Sequence, residues 1–257
     1  MMFAPTFFVD KCTSSFAPAW DLFEEGTLTD WGGVLCACQS EGRGQLRRHW
    51  HSPRGNLHVS FLLPEDPLLA GDAAALVTGY MVLTALRSLG FPLFLKWPND
   101  LLLHEVDKVG GILLEDRWGR IMAGLGINLA EAPPAAELRE RGGQGAMRAA
   151  VLLPGHAMPP FHGTQRPIAP FALWQRLVST VIFTYISKIQ GRSLPELLEK
   201  VSGVLAWKNR AVILTEGDES ALRGNFLGLG PGGGLLLHLP HGERREFFSG
   251  SLSLAYN

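Results

Sequence analysis

Apolar positions along this chain fall first into short blocks, then at helical spacing, then into blocks again. "GGVLCACQ" (Gly32–Gln39) and "NLHVSFLL" (Asn56–Leu63) are β-prone runs bounded by Gly, Pro and Ser, and both predict strands. Between Leu68 and Leu89, Leu76, Tyr80, Leu83 and Arg87 keep helical spacing, and Val82, Leu86 and Leu89 widen the apolar face. A largely buried helix ending at Gly90, with Pro92 beyond, is expected there. "LFLKW" (Leu93–Trp97), "DLLLH" (Asp100–His104), "VGGILLE" (Val109–Glu115) and "RIMAGLGINL" (Arg120–Leu129) predict four more strands. The linkers "PND" and "EVDK" are of hairpin length, which favours an antiparallel meander.

From 130 to 169 the periodicity fades into a Pro-, Gly- and Arg-rich connection. Helical spacing returns over Phe171–Gln190, and "SLPELLEKVSG" predicts a second helix with Ser193 as N-cap and Pro195 in its first turn. The last fifty residues are short strands with glycine-rich turns, the pattern of a small β-barrel. The chain shows no internal repeat.

Composition narrows the partners. At 257 residues and 46% hydrophobic, the chain can build one large core, or a large domain with a small one. A net charge of −1 excludes a bulk polyanion binder, so any positive field must be local and nucleic acid is not an expected partner. Cys12, Cys36 and Cys38 are too few for a disulfide framework and lack a histidine pair to complete a zinc site, which predicts reduced, partly buried thiols. The N-terminus has no signal-peptide pattern, and no apolar run approaches the roughly 18–20 residues of a membrane span. A cytoplasmic protein with no membrane partner is expected.

Local positive charge is concentrated in "EGRGQLRRHW" (Glu41–Trp50). Gly42 and Gly44 let backbone N–H groups approach an anion, and Arg43, Arg47 and Arg48 supply planar, permanent charge. An ordinary solvated hairpin loop would look similar. "KWPND" places Lys96 beside a Pro98 turn with Asn99 and Asp100, groups that can hold turn backbone or orient the lysine. In "KVGGILLE", Lys108 precedes the Gly110–Gly111 pair, and "GLGIN" runs from Gly124 to Asn128. Glycine inside a strand marks close approach by a ligand or another backbone. Walker A and Rossmann patterns are absent. Together, two lysines, glycine-lined strands and an arginine loop could bring a carboxylate and a phosphate into contact on one sheet face.

"GRGQLRRHW", "KWPND", "KVGGIL" and "GLGIN", in this order, resemble the signature set of the biotin protein ligases. "WKNRAVIL" (Trp207–Leu214) and "FFSGSLSL" resemble the start and end of that family's small C-terminal barrel. The resemblance runs from about Phe8 to Leu254, with 130–169 largely unmatched. It implies an α+β fold: a class II aminoacyl-tRNA synthetase-like mixed, mostly antiparallel sheet backed by helices, over 1–206, and an SH3-like barrel over 207–257. The implied activity joins biotin to ATP, with Mg2+ present, giving biotinyl-5′-AMP. Biotin then passes to one lysine of a biotin carboxyl carrier protein, such as that of acetyl-CoA carboxylase.

The resemblance also implies roles. Lys108 would contact the biotin carboxylate and bridging phosphate, and with Arg43 would be catalytic. Arg43 and Gln45 would close over biotin and the adenylate, and Gln39 would bond the biotin ring system. Gly42, Gly44, Gly111 and Gly124 complete the expected biotin pocket, with Cys12, Thr13 and Ser14 at its start. Arg48, Lys96, Asn99, Asn128 and Gln45 would handle phosphates and nucleotide, Trp50 would form pocket wall, and Asp100 would serve a metal or phosphate network.

Three departures stand out. Cys12-Thr13-Ser14 replaces the family's usual Ser-Thr-Asn and removes an amide. Gln45 replaces the second arginine of the usual G-R-G-R loop. Arg47 replaces a glycine and would be strained if that position needs φ > 0. No DNA-binding segment is expected before the catalytic pattern, and an exposed edge strand could pair a second copy into a homodimer. The rivals are a lipoate or octanoate ligase or transferase of the same fold, and a non-catalytic biotin binder.

Overall fold

A computed structural model of the chain describes residues 4–134, 148–153, 168–216 and 221–255. The connection expected over 130–169 falls mostly outside them, at 135–147 and 154–167.

The N-terminal sheet contains β1 (Thr6–Val9), β2 (Gly33–Cys36), β3 (Leu57–Leu62), β4 (Leu93–Lys96), β5 (Asp100–Leu103), β6 (Asp107–Arg117), β7 (Arg120–Ile127) and the two-residue β8 (Arg148–Ala149). Its order is β1-β2-β3-β7-β6-β5-β4, with β8 added beside β6. The β1–β2 and β6–β8 pairs are parallel and the others antiparallel, so the expected meander from β4 to β7 is present in a mixed sheet.

Alternation along the strands assigns the faces. Leu35, Val59, Phe61, Ala123, Leu125 and Ile112 enter one apolar cluster, beneath α2 (Ala74–Ser88) and α3 (Pro170–Thr184). Their neighbours Val34, Leu62, Met122 and Leu113 face the other way and pack with Phe16, Ala19 and Trp20 of α1 (Phe16–Glu24). Burying each large side chain contributes about 1.5–3 kcal/mol, so the face assignment is strongly held. Sequence patterning did not single out β1 or α1. Each is short, and α1 carries Pro18 in its first turn, which breaks the usual helical signature.

The α2 helix begins six residues later than expected. Pro67–Leu69 instead form a separate 3-10 turn capped by Asp66, whose carboxylate accepts from Leu68 N at 2.8 Å, and Gly71 at φ 76 breaks the path. Gly90, at φ 97, ends the helix as expected. α3 continues into a π-helical turn, Tyr185–Ile189, and α4 (Leu194–Ser202) starts where expected, with Ser193 N donating to Glu196 Oε2 at 3.1 Å.

The second sheet holds β9 (Ala211–Thr215), β10 (Leu222–Leu229), β11 (Leu235–His238), β12 (Arg244–Phe247) and β13 (Ser251–Leu254), in the order β12-β11-β10-β9-β13. The expected barrel is not closed. Only three residues join β12 to β13, a reach of roughly 10 Å, so the sheet curls until its two edges approach. No backbone ladder links those edges among the described residues. Val212, Leu214, Phe226 and Leu252 of this sheet join the main apolar cluster. Trp207 Nε1 donates to the Glu105 carbonyl at 2.6 Å, tying the start of this sheet to the β5–β6 turn. No helix among the described residues is long and apolar enough to cross a membrane.

Candidate active site

A cleft of about 920 Å³ opens on the α1 face of the large sheet. Directly opposed residues on antiparallel strands share a face, so the floor can be read in rows. One row runs Ser60, Gly124, Leu113 across β3, β7 and β6. The next runs His58, Gly126, Gly111, Asp100 across β3, β7, β6 and β5. Glycines fill the middle of both rows and leave a trough. A Cβ on Gly124 would lie 2.6 Å from the Phe16 ring, and one on Gly126 would lie 2.6 Å from the Trp50 indole.

Two lysines meet at one end of this trough. Lys96 closes β4 and Asp100 opens β5, on either side of a cis Trp97–Pro98 turn, so Lys96 Nζ reaches Asp100 Oδ2 at 3.0 Å. Lys108 Nζ takes the other oxygen, Oδ1, at 2.5 Å. It can do so because the β5–β6 register shifts: Leu101 pairs with Gly110, and Leu102 pairs with Lys108. Val109 is the extra residue. It turns into the apolar core, and Lys108 is re-aimed onto the cleft face. Without the bulge, alternation from Gly111 would point Val109 into the cleft and Lys108 into the core.

Burial by itself would raise the Asp100 carboxyl, but the ammoniums of Lys108 and Lys96 outweigh it and hold the group at about 2. Asp100 is therefore ionised at neutral pH. Lys96 also sits 5.3 Å from the centre of the Trp207 ring, and Lys108 sits 5.4 Å from that of Trp50.

Gln39 ties the arginine loop to the start of α1. Ser15 N donates to Gln39 Oε1 at 2.7 Å, and Gln39 Nε2 donates to Ser52 Oγ at 2.8 Å. Ser52 Oγ in turn donates to the Trp50 carbonyl at 3.0 Å. Within the loop, Arg43 bridges His49, and Trp50 N donates to the Gly42 carbonyl at 2.8 Å. The left-handed residue is Leu46, at φ 55, so the positive φ considered for Arg47 falls one position earlier. Asn128, just after β7, donates from Nδ2 to the Ala150 carbonyl at 3.2 Å, and its Oδ1 is buried with no partner.

Of the residues expected at the site, Ser14, Gln39, Arg43, Gly44, Gln45, Arg48, Trp50, Lys96, Asn99, Asp100, Lys108, Gly111, Gly124 and Asn128 line this one cleft. Cys12, Thr13 and Gly42 are not among its lining residues. Cys12 is half-buried in a bridge to Gln39, and Thr13 is exposed. Ser14 and Ser15, at the entrance to α1, face the cleft. Gly42 lies behind the wall, where a Cβ would strike the Ser52 hydroxyl and the Trp50 carbonyl. Sequence reasoning missed Ser15, Phe16, His58 and Gly126, and also Thr215 and Ser251 from the second sheet. Only the period-two alternation of "NLHVSFLL" could have placed His58 on the Ser60 face.

The cleft is lined by Arg43, Arg48, Lys96 and Lys108, with Asp100 the carboxylate among its described lining residues, in a chain of net charge −1. It can hold two anionic groups in contact. A protein-held divalent cation fits less well. Both Asp100 oxygens are engaged by ammoniums, and no cluster of three His, Cys, Asp or Glu side chains suits a metal among the described residues.

Comparison with known proteins extends this geometry. The pattern of the biotin/lipoate A/B protein ligase family matches residues 14–130. The biotin–[acetyl-CoA-carboxylase] ligase of Paracoccus denitrificans is 30% identical over 232 residues, covering 82% of this chain and 85% of that protein. The bifunctional ligase/repressor BirA of Bacillus subtilis is 35% identical over 117 residues, covering 42% of this chain and 34% of that protein. Among solved structures, the biotin protein ligase of Aquifex aeolicus in complex with biotin and ATP superposes with a TM-score of 0.72 at 26% identity. That match covers 99% of this chain and 100% of the other.

Proposed function

The chain belongs to the biotin protein ligases of the biotin/lipoate A/B protein ligase family, and on that basis we propose that it biotinylates a carboxylase carrier protein at the expense of ATP. The observation that carries the residue-level reading is the Lys96–Asp100–Lys108 cluster at the end of a glycine-floored trough.

In the first step a biotin carboxylate oxygen attacks the α-phosphorus of ATP. One P–O bond forms, the bond to the β-phosphate bridge breaks, and pyrophosphate leaves. Lys108 offsets the repulsion between carboxylate and phosphate, and Arg43 and Arg48 approach from the loop side. Asp100 holds the lysine ammoniums in place while Asn128 offers its unpartnered Oδ1 to the base of the nucleotide. Mg2+ enters as part of the ATP substrate, held by its phosphates. In the second step the amine of an acceptor lysine attacks the acyl carbon. A C–N bond forms, the acyl C–O bond to phosphate breaks, AMP leaves and the amine proton is lost. Residues 1–206 form the catalytic unit, and 207–257 form an accessory unit that contributes Thr215 and Ser251 to the rim.

Incubation with ATP and either biotin or lipoate, followed by pyrophosphate release, tests this assignment. Release with biotin, and then biotin transfer to a carboxyl carrier protein, is expected. Release with neither acid sinks the ligase reading, and release with lipoate alone sinks the choice of biotin.

A further inference from the structure

His58 belongs to none of the roles assigned above. It is 2% exposed, it lines the cleft, and neither ring nitrogen has a well-formed hydrogen bond, with only the Cys36 backbone close enough to favour its protonated form. A buried imidazole whose nitrogens lack well-formed partners is costly, and such groups need an explanation. Burial drives its pKa down to about 4, so the ring is neutral at physiological pH and offers one donor and one acceptor.

Its position says where those groups point. His58 and Asp100 end the same row, with Gly126 and Gly111 between them. Three strand spacings separate the two ends, roughly 14 Å. An elongated acid whose carboxylate lies at the lysines would run over the glycine pair towards His58. The Trp50 indole rests on Gly126, the residue opposite His58 in the ladder, and its own Nε1 is also buried without a partner. Polar atoms without well-formed partners therefore occur both on the floor, at His58, and on the side chain that covers Gly126.

We propose that His58 is a specificity-determining residue of the acyl pocket. When Trp50 moves off Gly126, the neutral imidazole hydrogen-bonds the polar ring of the substrate. A ureido ring, which carries N–H donors and a carbonyl acceptor, matches it. A dithiolane ring or a plain alkyl chain offers the imidazole no partner, and sites built to hydrogen-bond reject such analogues strongly. The inference rests on the biotin ligase reading and adds the group that separates biotin from lipoate and octanoate.

The test measures Kd for biotin, lipoate and octanoate by calorimetry, and KM and kcat for adenylation, on the full chain with His58, His58→Leu and His58→Gln. The His58→Leu change should weaken biotin about tenfold, the worth of one to two hydrogen bonds, with the loss in Kd and KM and not in kcat. Lipoate and octanoate should bind as before or more tightly. His58→Gln, with an amide donor and acceptor, should recover most of the biotin affinity. Unchanged biotin affinity in folded His58→Leu overturns the proposal, as does equal weakening of all three acids. A wild-type chain that binds biotin with this His58 dependence but releases no pyrophosphate overturns the ligase reading and leaves His58 in place.

Discussion

Lys108 reaches Asp100 Oδ1 at 2.5 Å because Val109 bulges out of the β5–β6 ladder, and Lys96 grips the same carboxylate through Oδ2 at 3.0 Å. The two lysines are not equivalent. The Lys96 side chain is 3% exposed and that of Lys108 is 20% exposed, so Lys96 depends more heavily on its partner. Lys108→Ala still leaves Asp100 paired with Lys96. It should keep the fold and lower adenylation about 10²–10³-fold, the usual range for removing one electrostatic stabiliser of a transition state. Pyrophosphate release and a thermal melt check both halves. Undiminished adenylation would show that another cation does this work.

Asp100→Asn should behave differently. It leaves two ammoniums at the cleft without their carboxylate, and breaking a buried pair typically costs about 3–5 kcal/mol. Adenylation and stability should therefore fall together. A double variant, Asp100→Asn with Lys96→Met, should recover much of the melting temperature and none of the activity. Denaturant titration separates the two effects.

Acid sensitivity should arrive in two stages. The ordinary histidine value is 6.5, and His58 is held at about 4 by burial. Between those values the unfolded chain binds a proton that the folded chain does not, so this contribution is complete above 6.5 and is lost as pH falls through 4. Its size is about 3 kcal/mol. Asp100 acts lower, with an ordinary value of 3.8 and a folded value of about 2. Its contribution is complete above 3.8 and is lost as pH falls through 2. Unfolding free energies measured from pH 7 to 3 should decline from about pH 6, and His58→Phe should flatten the first stage. An unchanged profile in that variant would place the acid sensitivity elsewhere.

The trough depends on missing side chains. Gly124→Ala would push a methyl into the Phe16 ring, which is packed in the α1 core and 6% exposed. A loss of about 1–3 kcal/mol in stability is expected, together with weaker biotin binding. Gly126→Ala first meets the Trp50 indole, carried on a loop, so stability should change less and biotin binding should respond more. Equal melting temperatures for the two variants would contradict this division.

What could be read in the sequence follows from periodicity. The meander from β4 to β7 was legible because its strands are apolar blocks joined by short turns, and the four motifs fell into one cleft because three of them sit on neighbouring strands. The barrel was misjudged because strand count and turns do not reveal whether two edges finally pair. The entrance to α1, beside Cys12 and Thr13, was not legible because the helix is short and Pro18 interrupts its periodic signal. Lys108 was found from its glycines, yet its orientation rests on a bulge that simple alternation contradicts. His58 stayed hidden because a lone histidine in a strand carries no local signature.

Gln39 should control the loop as much as it contacts a ligand. Its amide bonds Ser15 N at 2.7 Å on one side and Ser52 Oγ at 2.8 Å on the other, and Ser52 hands on to the Trp50 carbonyl. Gln39→Ala cuts both links and leaves the Ser15 N–H without its acceptor, at a cost of about 1 kcal/mol for each bond lost. The Trp50 N–H bond to the Gly42 carbonyl then lacks its outer brace. Hydrogen exchange at residues 42–50 should speed up by roughly fivefold to tenfold, with exchange in β6 and β7 unchanged. Gln39→Glu provides the control, because a carboxylate can still accept from Ser15 N but cannot donate to Ser52. It should keep the start of α1 protected while loosening the loop. Equal exchange in all three chains would mean that the loop is held by its own turns, and Gln39 would then act on ligand alone.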